Sequence, residues 1–153
     1  MTTKRNALLV AGLLAGFIST GSAWAHGNVV PQAVETPGLT PIKDAGVPLD
    51  ADGWAAVNPY RTSPQHDKAV EIGSSAYNQN CAACHGLEAK SGGIAPDLRM
   101  LDVGDAGDEW FVERVRHGAV RDGRVYMPKM ADYLSQEALW AVRTYLDTVH
   151  VEE

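Results

Sequence analysis

Apolar residues recur at three- and four-residue spacing in three stretches of this chain, and nowhere keep the two-residue alternation of a half-buried strand. Ala69, Ile72, Gly73, Ala76 and Tyr77 fall on one helical face. Ser63 and Pro64 ahead of them read as an N-cap and a first-turn proline. Trp110, Phe111, Val112 and Val115 mark a second helix over 108–117, with Asp108 and Glu109 near its positive end and Gly118 at its stop. A third helix runs from Ser135, a good N-cap, to about Val149 on Leu139, Trp140, Val142, Tyr145, Leu146 and Val149. The pattern predicts an all-α domain over 64–153, with no strand and no internal repeat.

Residues 26–63 break this pattern. Pro31, Pro37, Pro41, Pro48 and Pro59 interrupt any helix. The segment reads as an extended arm with short turns, either lying across the domain through Leu49, Trp54, Val57 and Tyr60 or fully disordered. Asp50-Ala51-Asp52-Gly53 resembles the middle of a calcium loop, but Pro48 and Pro59 stand where ligands are needed, so it reads as a turn.

Residues 1–25 read as a secretory signal: Lys4 and Arg5, an unbroken apolar run from Ala7 to Ile18, then Ala23-Trp24-Ala25 as a cleavage site. That run is shorter than the ~20 residues of a membrane span. No cysteine is placed to carry a lipid, so no membrane anchor is expected. Cleavage would leave a mature chain from His26 to Glu153, one domain, expected as a monomer in a bacterial periplasm. Leaving out Lys4 and Arg5 takes the 13 basic residues to 11 and the net charge from −6 to −8. Such a balance argues against nucleic acid or an anionic membrane as partner, and fits steering onto a basic patch of a protein.

The chemistry sits in Cys81-Ala82-Ala83-Cys84-His85, which contains both cysteines of the chain. The spacing is that of a c-type haem attachment site: two thiols for the haem vinyl groups and an imidazole for the iron. A structural zinc site needs four ligands, and there is neither a second cysteine pair nor finger-spaced histidines. A thioredoxin-like motif needs a strand-rich context that is missing. A plain disulfide between Cys81 and Cys84 stays open.

Gly73, Tyr77 and Cys81, each four apart, together with Val142-Arg143-Thr144-Tyr145-Leu146, resemble the first and last helices of class I cytochromes c. The resemblance covers residues 64–150. It implies the class I fold, three main helices around one covalent haem c, with the glycine admitting the last helix. It also implies a methionine opposite His85. Met127, in the loop between the second and third helices and followed by Pro128, matches the family's ligand segment. Met130 is the alternative and otherwise fills a gap beside the haem; Met100 follows His85 too closely. No histidine stands in that loop, which argues against bis-histidine ligation. Gly92 to Leu98 resembles the loop whose proline carbonyl receives the ligand's Nδ1 proton, which places Pro96 there and Leu98 on the haem. Arg99, Trp110 and Tyr126 are candidates for the propionates.

Two fixed axial ligands imply one-electron transfer rather than catalysis, and Asp102, Asp105 and Asp108 read as a solvated loop. Asn58-Pro59-Tyr60-Arg61, Tyr77 to Cys81, Ser91 to Arg99 and Leu134 to Trp140 resemble the small periplasmic cytochromes that accept electrons from quinoprotein (pyrroloquinoline quinone) alcohol dehydrogenases. That resemblance implies such a dehydrogenase as donor and a terminal oxidase as acceptor. The competing readings are a generic respiratory or denitrification shuttle, and a haem enzyme or gas sensor with a labile sixth ligand.

Overall fold

In the computed structural model, which describes residues 30–152, the three expected helices form with shifted boundaries. Helix α1 spans His66–Asn80, α2 is a single turn at Ala82–His85, α3 spans Asp105–His117 and α4 spans Gln136–Thr148. The signal-like segment at 1–25 and the first residues of the arm lie outside the described residues.

Ser135 caps α4 as expected, its Oγ accepting from Ala138 N at 3.2 Å. Ser63 does not cap α1. Its Oγ accepts from Gln65 N at 3.1 Å, so its capping capacity is used in a turn and the helix starts at His66. The expectation of no strand is also corrected. Strands β1 (Ala119–Arg121) and β2 (Arg124–Met127) form an antiparallel hairpin. Asp122 and Gly123 join them with φ +49° and +73°, the left-handed pair of a type I′ turn. Asp-Gly is the readable signal; strands of three and four residues are too short to show alternation.

The α1–α4 crossing organises the molecule. The apolar positions expected on α1 are the buried ones. A Cβ on Gly73 would fall 1.9 Å from the Ala141 carbonyl oxygen, so the two backbones touch and only glycine fits. One turn on, Tyr77 packs on Tyr145 with ring centroids 5.5 Å apart. Helix α4 is buried on every side from Ala138 to Leu146. On one side lies the main core with Tyr77, Leu98, Phe111, Val115, Met130 and Leu134.

The other side is covered by the arm. Leu39, Ile42, Ala55 and Tyr60 pack with Ala69, Ile72, Trp140 and Ala141 in a second core. Each large apolar side chain buried this way contributes roughly 1.5–3 kcal/mol before chain entropy is counted. Polar ties fix the arm's path. Ile42 N donates to Glu137 Oε1 at 3.0 Å, Ala55 N to Gln136 Oε1 at 3.2 Å, and Gln32 N to Asn80 Oδ1 at 2.7 Å. Over 30–63 the disordered alternative therefore gives way to an ordered, irregular layer. The Asp50–Gly53 turn is also formed: Asp50 Oδ1 accepts from Asp52 N and Trp54 N, while Arg116 pairs with both carboxylates at 2.7 and 2.6 Å.

Asp108 is the largest correction. The sequence groups it with Asp102 and Asp105 as solvated, yet its side chain has no exposure at all. Because α3 begins at Asp105, Asp108 sits in its first turn and faces inward. It accepts from Arg143 Nε at 2.9 Å, from Arg61 Nη1 at 2.9 Å and from Asn58 N at 2.8 Å. Arg143, also fully buried, donates to the Asp102 carbonyl at 2.6 Å. Its Nη1 lies 2.8 Å from Asp147 Oδ1, an ion pair too poorly aligned to be a hydrogen bond. Two arginines and two aspartates thus join the arm, α3, α4 and the loop before α3. Removing one partner of a buried pair strands the other, at a cost of about 3–5 kcal/mol. Asp108→Asn should therefore lower the denaturant midpoint by a loss of that order with an unchanged m-value. A midpoint equal to wild type would show the network to be inert.

Candidate functional site

Helix α1 delivers the two thiols. Its last residue is Asn80, and Cys81 turns the chain into the single turn of α2, where His85 N donates to Cys81 O at 2.9 Å. Cys81 and Cys84 are free and partly exposed. Burial first, then the neighbouring Cys84, pushes the Cys81 thiol up to about 12.

His85 is 8% exposed and held at one nitrogen. Its Nδ1 lies 2.9 Å from the Pro96 carbonyl oxygen. A carbonyl only accepts, so Nδ1 carries the proton and Nε2 keeps its lone pair for a metal. The segment is braced again one residue later, where Tyr77 Oη donates to Gly86 O at 2.8 Å. The sequence shows the value of the Tyr77 ring but carries no signal for this hydroxyl contact.

The Pro96 loop is knitted by its own side chains. Asp97 Oδ1 accepts from Arg99 N at 3.0 Å and Oδ2 accepts from Ser91 N at 3.3 Å, while Ser91 Oγ donates to Ala95 O. Arg99, expected near a propionate, has its guanidinium on Asp97, with contacts of 3.0 and 2.7 Å. Leu98 is buried in the main core.

Met127 ends β2 and packs, partly buried, against the same core as Cys81, Ala82 and Leu98. Met130 is buried in that core, 4% exposed. Trp110 is exposed on α3 beneath the Arg114 guanidinium, 5.4 Å from the ring centre. Tyr126 is exposed on the hairpin beside Arg121, at 5.6 Å. The other described histidines stand at helix ends: His66 opens α1, His117 closes α3 and His150 follows α4, with Nδ1 3.1 Å from Leu101 O.

This arrangement fits a large, flat, apolar cofactor held by sulfur. Outside the hairpin, five of the 12 exposed large apolar side chains among the described residues lie between His85 and Met127: Leu87, Ile94, Met100, Val103 and Trp110. Exposed apolar side chains in this stretch, two free thiols and an oriented imidazole together match a covalently attached porphyrin.

The comparisons agree in kind. The family described as Cytochrome C oxidase, cbb3-type, subunit III matches residues 68–146. The chain belongs to the c-type cytochromes, with the class I fold and a covalently bound haem c, and is an electron carrier rather than an enzyme. It is 61% identical over 151 residues to a cytochrome c550 of Pseudomonas aeruginosa, covering 98% of this chain and 99% of that one. It is also 34% identical over 84 residues to the quinohemoprotein alcohol dehydrogenase ADH IIB of Pseudomonas putida, 55% of this chain but only 12% of the dehydrogenase. The dehydrogenase subunit of the quinone alcohol dehydrogenase of Gluconobacter oxydans is 33% identical over 110 residues, 70% of this chain and 13% of that one. No solved structure matches the chain.

The Asp97 clamp has a pH signature. The Arg99 side chain, opposed by burial and assisted by the backbone N–H groups of Arg99 and Ser91, holds the Asp97 carboxyl at about 2. The unfolded chain binds that proton at ~3.9. The clamp's stabilisation is thus complete above ~4 and is lost as pH falls towards about 2. Asp97→Asn should flatten acid denaturation across that window, followed by circular dichroism. An unaltered acid limb would show that the clamp contributes nothing.

Proposed function

We propose that Cys81 and Cys84 carry the haem as thioethers, that His85 Nε2 and Met127 Sδ are its axial ligands, and that the chain works in the periplasm between a quinoprotein alcohol dehydrogenase and a terminal oxidase. The haem iron supplies the one-electron couple. His85 is oriented by Pro96, and the Ser91–Arg99 loop holds that carbonyl in place. Met127 sits where a short strand meets Pro128, a segment fixed on one side by the β1 ladder and on the other by the turn at Met130–Asp132. Among the described residues no helix is long and apolar enough to cross a membrane, which is compatible with a mobile carrier.

One observation carries the donor assignment. About half of this chain resembles a small fraction of enzymes whose names join haem, quinone and alcohol oxidation. The reading is that those enzymes carry a built-in version of what this chain supplies as a separate protein. An alcohol dehydrogenase of the simpler quinoprotein kind, with no such segment, would need it.

The decisive experiment mixes oxidised protein with a purified quinoprotein alcohol dehydrogenase and an alcohol, and follows haem reduction. Reduction within seconds at physiological salt supports the assignment, and none would remove it and leave a generic carrier. Met127→Ala should keep the haem attached, lower the midpoint potential, abolish the weak far-red band of methionine–iron ligation and admit carbon monoxide. Retention of that band would move the ligand to Met130.

A further inference from the structure

The hairpin carries a charge opposite to that of the molecule. Arg114, Arg116, Arg121, Arg124 and Lys129 place five of the chain's 13 Lys and Arg in the segment 114–129, where Asp122 is the one carboxylate of 19. Arg116 is committed to Asp50 and Asp52. Arg114 lies over Trp110 and donates to Gly118 O. Among the described residues, none of Arg121, Arg124 and Lys129 has a carboxylate at ion-pair distance, and all three are exposed.

Two features make this arrangement costly for the isolated protein. Arg121 and Arg124 are directly opposite in the ladder, where like charges destabilise. Val120 and Val125, also paired, are 63% and 69% exposed, and Tyr126 is 61% exposed. Beyond Ala119 and Met127, which are partly buried, every side chain of the two strands is exposed. Basic residues around exposed valines and a tyrosine form the composition of a contact surface.

The ribbon also leads to the iron if Met127 is its ligand. At ~3.3 Å per residue, Arg124 lies within about 10 Å of Met127 along β2. We infer that the 119–129 hairpin is the docking element for a protein redox partner whose contact surface is acidic around an apolar centre. This inference rests on Met127 marking the haem edge. It reverses the expectation, drawn from net charge, of a basic patch on the partner. Net charge acts from afar, but at physiological salt fields are screened within ~8 Å, so the local patch governs contact.

The sign of the local field can be read with a small reagent. Hexacyanoferrate(III), an anion, takes one electron from the ferrous protein and becomes hexacyanoferrate(II). If electrons leave past the hairpin, this oxidation slows as salt is added, although protein and reagent are both negative overall. R121E/R124E should slow it about tenfold at low salt and reverse the salt dependence. Lys68→Glu, on the exposed face of α1, should leave both unchanged. A wild-type rate that rises with salt, or a double variant with the wild-type salt slope, overturns the inference. Attached haem and an intact far-red band in the variant certify its fold. Arg124→Gln and Lys129→Gln, tested singly for the same direction of change, decide the matter if the double variant does not fold.

A second arm uses the quinoprotein alcohol dehydrogenase as donor. Slower reduction of R121E/R124E with a weaker salt dependence supports docking at the hairpin. Equal reduction of wild type and variant overturns it while the donor assignment stands. Failure to reduce even the wild type removes the donor assignment, and the hexacyanoferrate result then decides the hairpin.

Discussion

The contact of Gly73 with the Ala141 carbonyl fixes the rest of the molecule. Where two helices meet backbone to backbone, neither can rotate or slide without a clash, so the register of α1 against α4 is set. Cys81 lies two turns beyond Gly73, about 12 Å further along α1. The position of the first thiol is therefore decided by a crossing at some distance from it. Tyr77, midway, converts that register into a second restraint: its ring packs on Tyr145 and its hydroxyl reaches past α2 to Gly86. These contacts hold the attachment motif at both ends.

A crossing this close leaves α4 with two faces to cover, and the chain covers them differently. One face looks onto the core that includes Met127, Leu98 and Cys81. The other is roofed by residues of the arm, which have little regular structure beyond the 3-10 turn at Ile42–Asp44 and bring few apolar groups. A thin irregular layer needs directional bonds to stay in one place. Asp108 provides them, because one carboxylate collects Asn58 and Arg61 from the arm and Arg143 from α4. Buried ion pairs contribute little net stability after desolvation, and their better-attested use is to specify one arrangement. Here the arrangement specified is that of the arm and α3 on α4.

The parts of this structure legible in the sequence are those whose partners repeat locally. Helical periodicity marks the buried face of α1 residue by residue, and Ser135 marks the start of α4. His85 with Pro96 is legible through family likeness, since nothing in the spacing of 11 residues announces a hydrogen bond. Asp108 is illegible because its meaning depends on arginines 47 and 35 residues away. On a helix, an acidic residue in the first turn reads as a favourable surface charge, and only the tertiary path of the arm turns it into a buried one. Arg99 reads as a propionate partner for the opposite reason: Asp97 is two residues off, too near for helical pairing rules to flag, and becomes available only because Leu98–Met100 forms a tight turn capped by Asp97. The hairpin escapes a periodicity argument because it is short, although Asp122-Gly123 spells its turn.

An electron carrier gains from a site that does not rearrange, and this chain reaches rigidity without a deep cage. The proposed ligands sit on segments of irregular or marginal structure, one on a single helical turn and one at the end of a short strand. What keeps them still is bonding just beyond the ligand atoms. Pro96 acts on one side of His85 and the Tyr77–Gly86 contact on the other; the β1 ladder and Pro128 flank Met127. Fixing ligands from outside needs no enclosing layer of chain around the cofactor. A fully enclosed site would be equally rigid but would lengthen the path to any partner. The same economy explains why an exposed, like-charged ribbon can stand next to the proposed ligand strand. The ladder there needs to hold only as far as Met127, and the residues beyond it are free to serve contact.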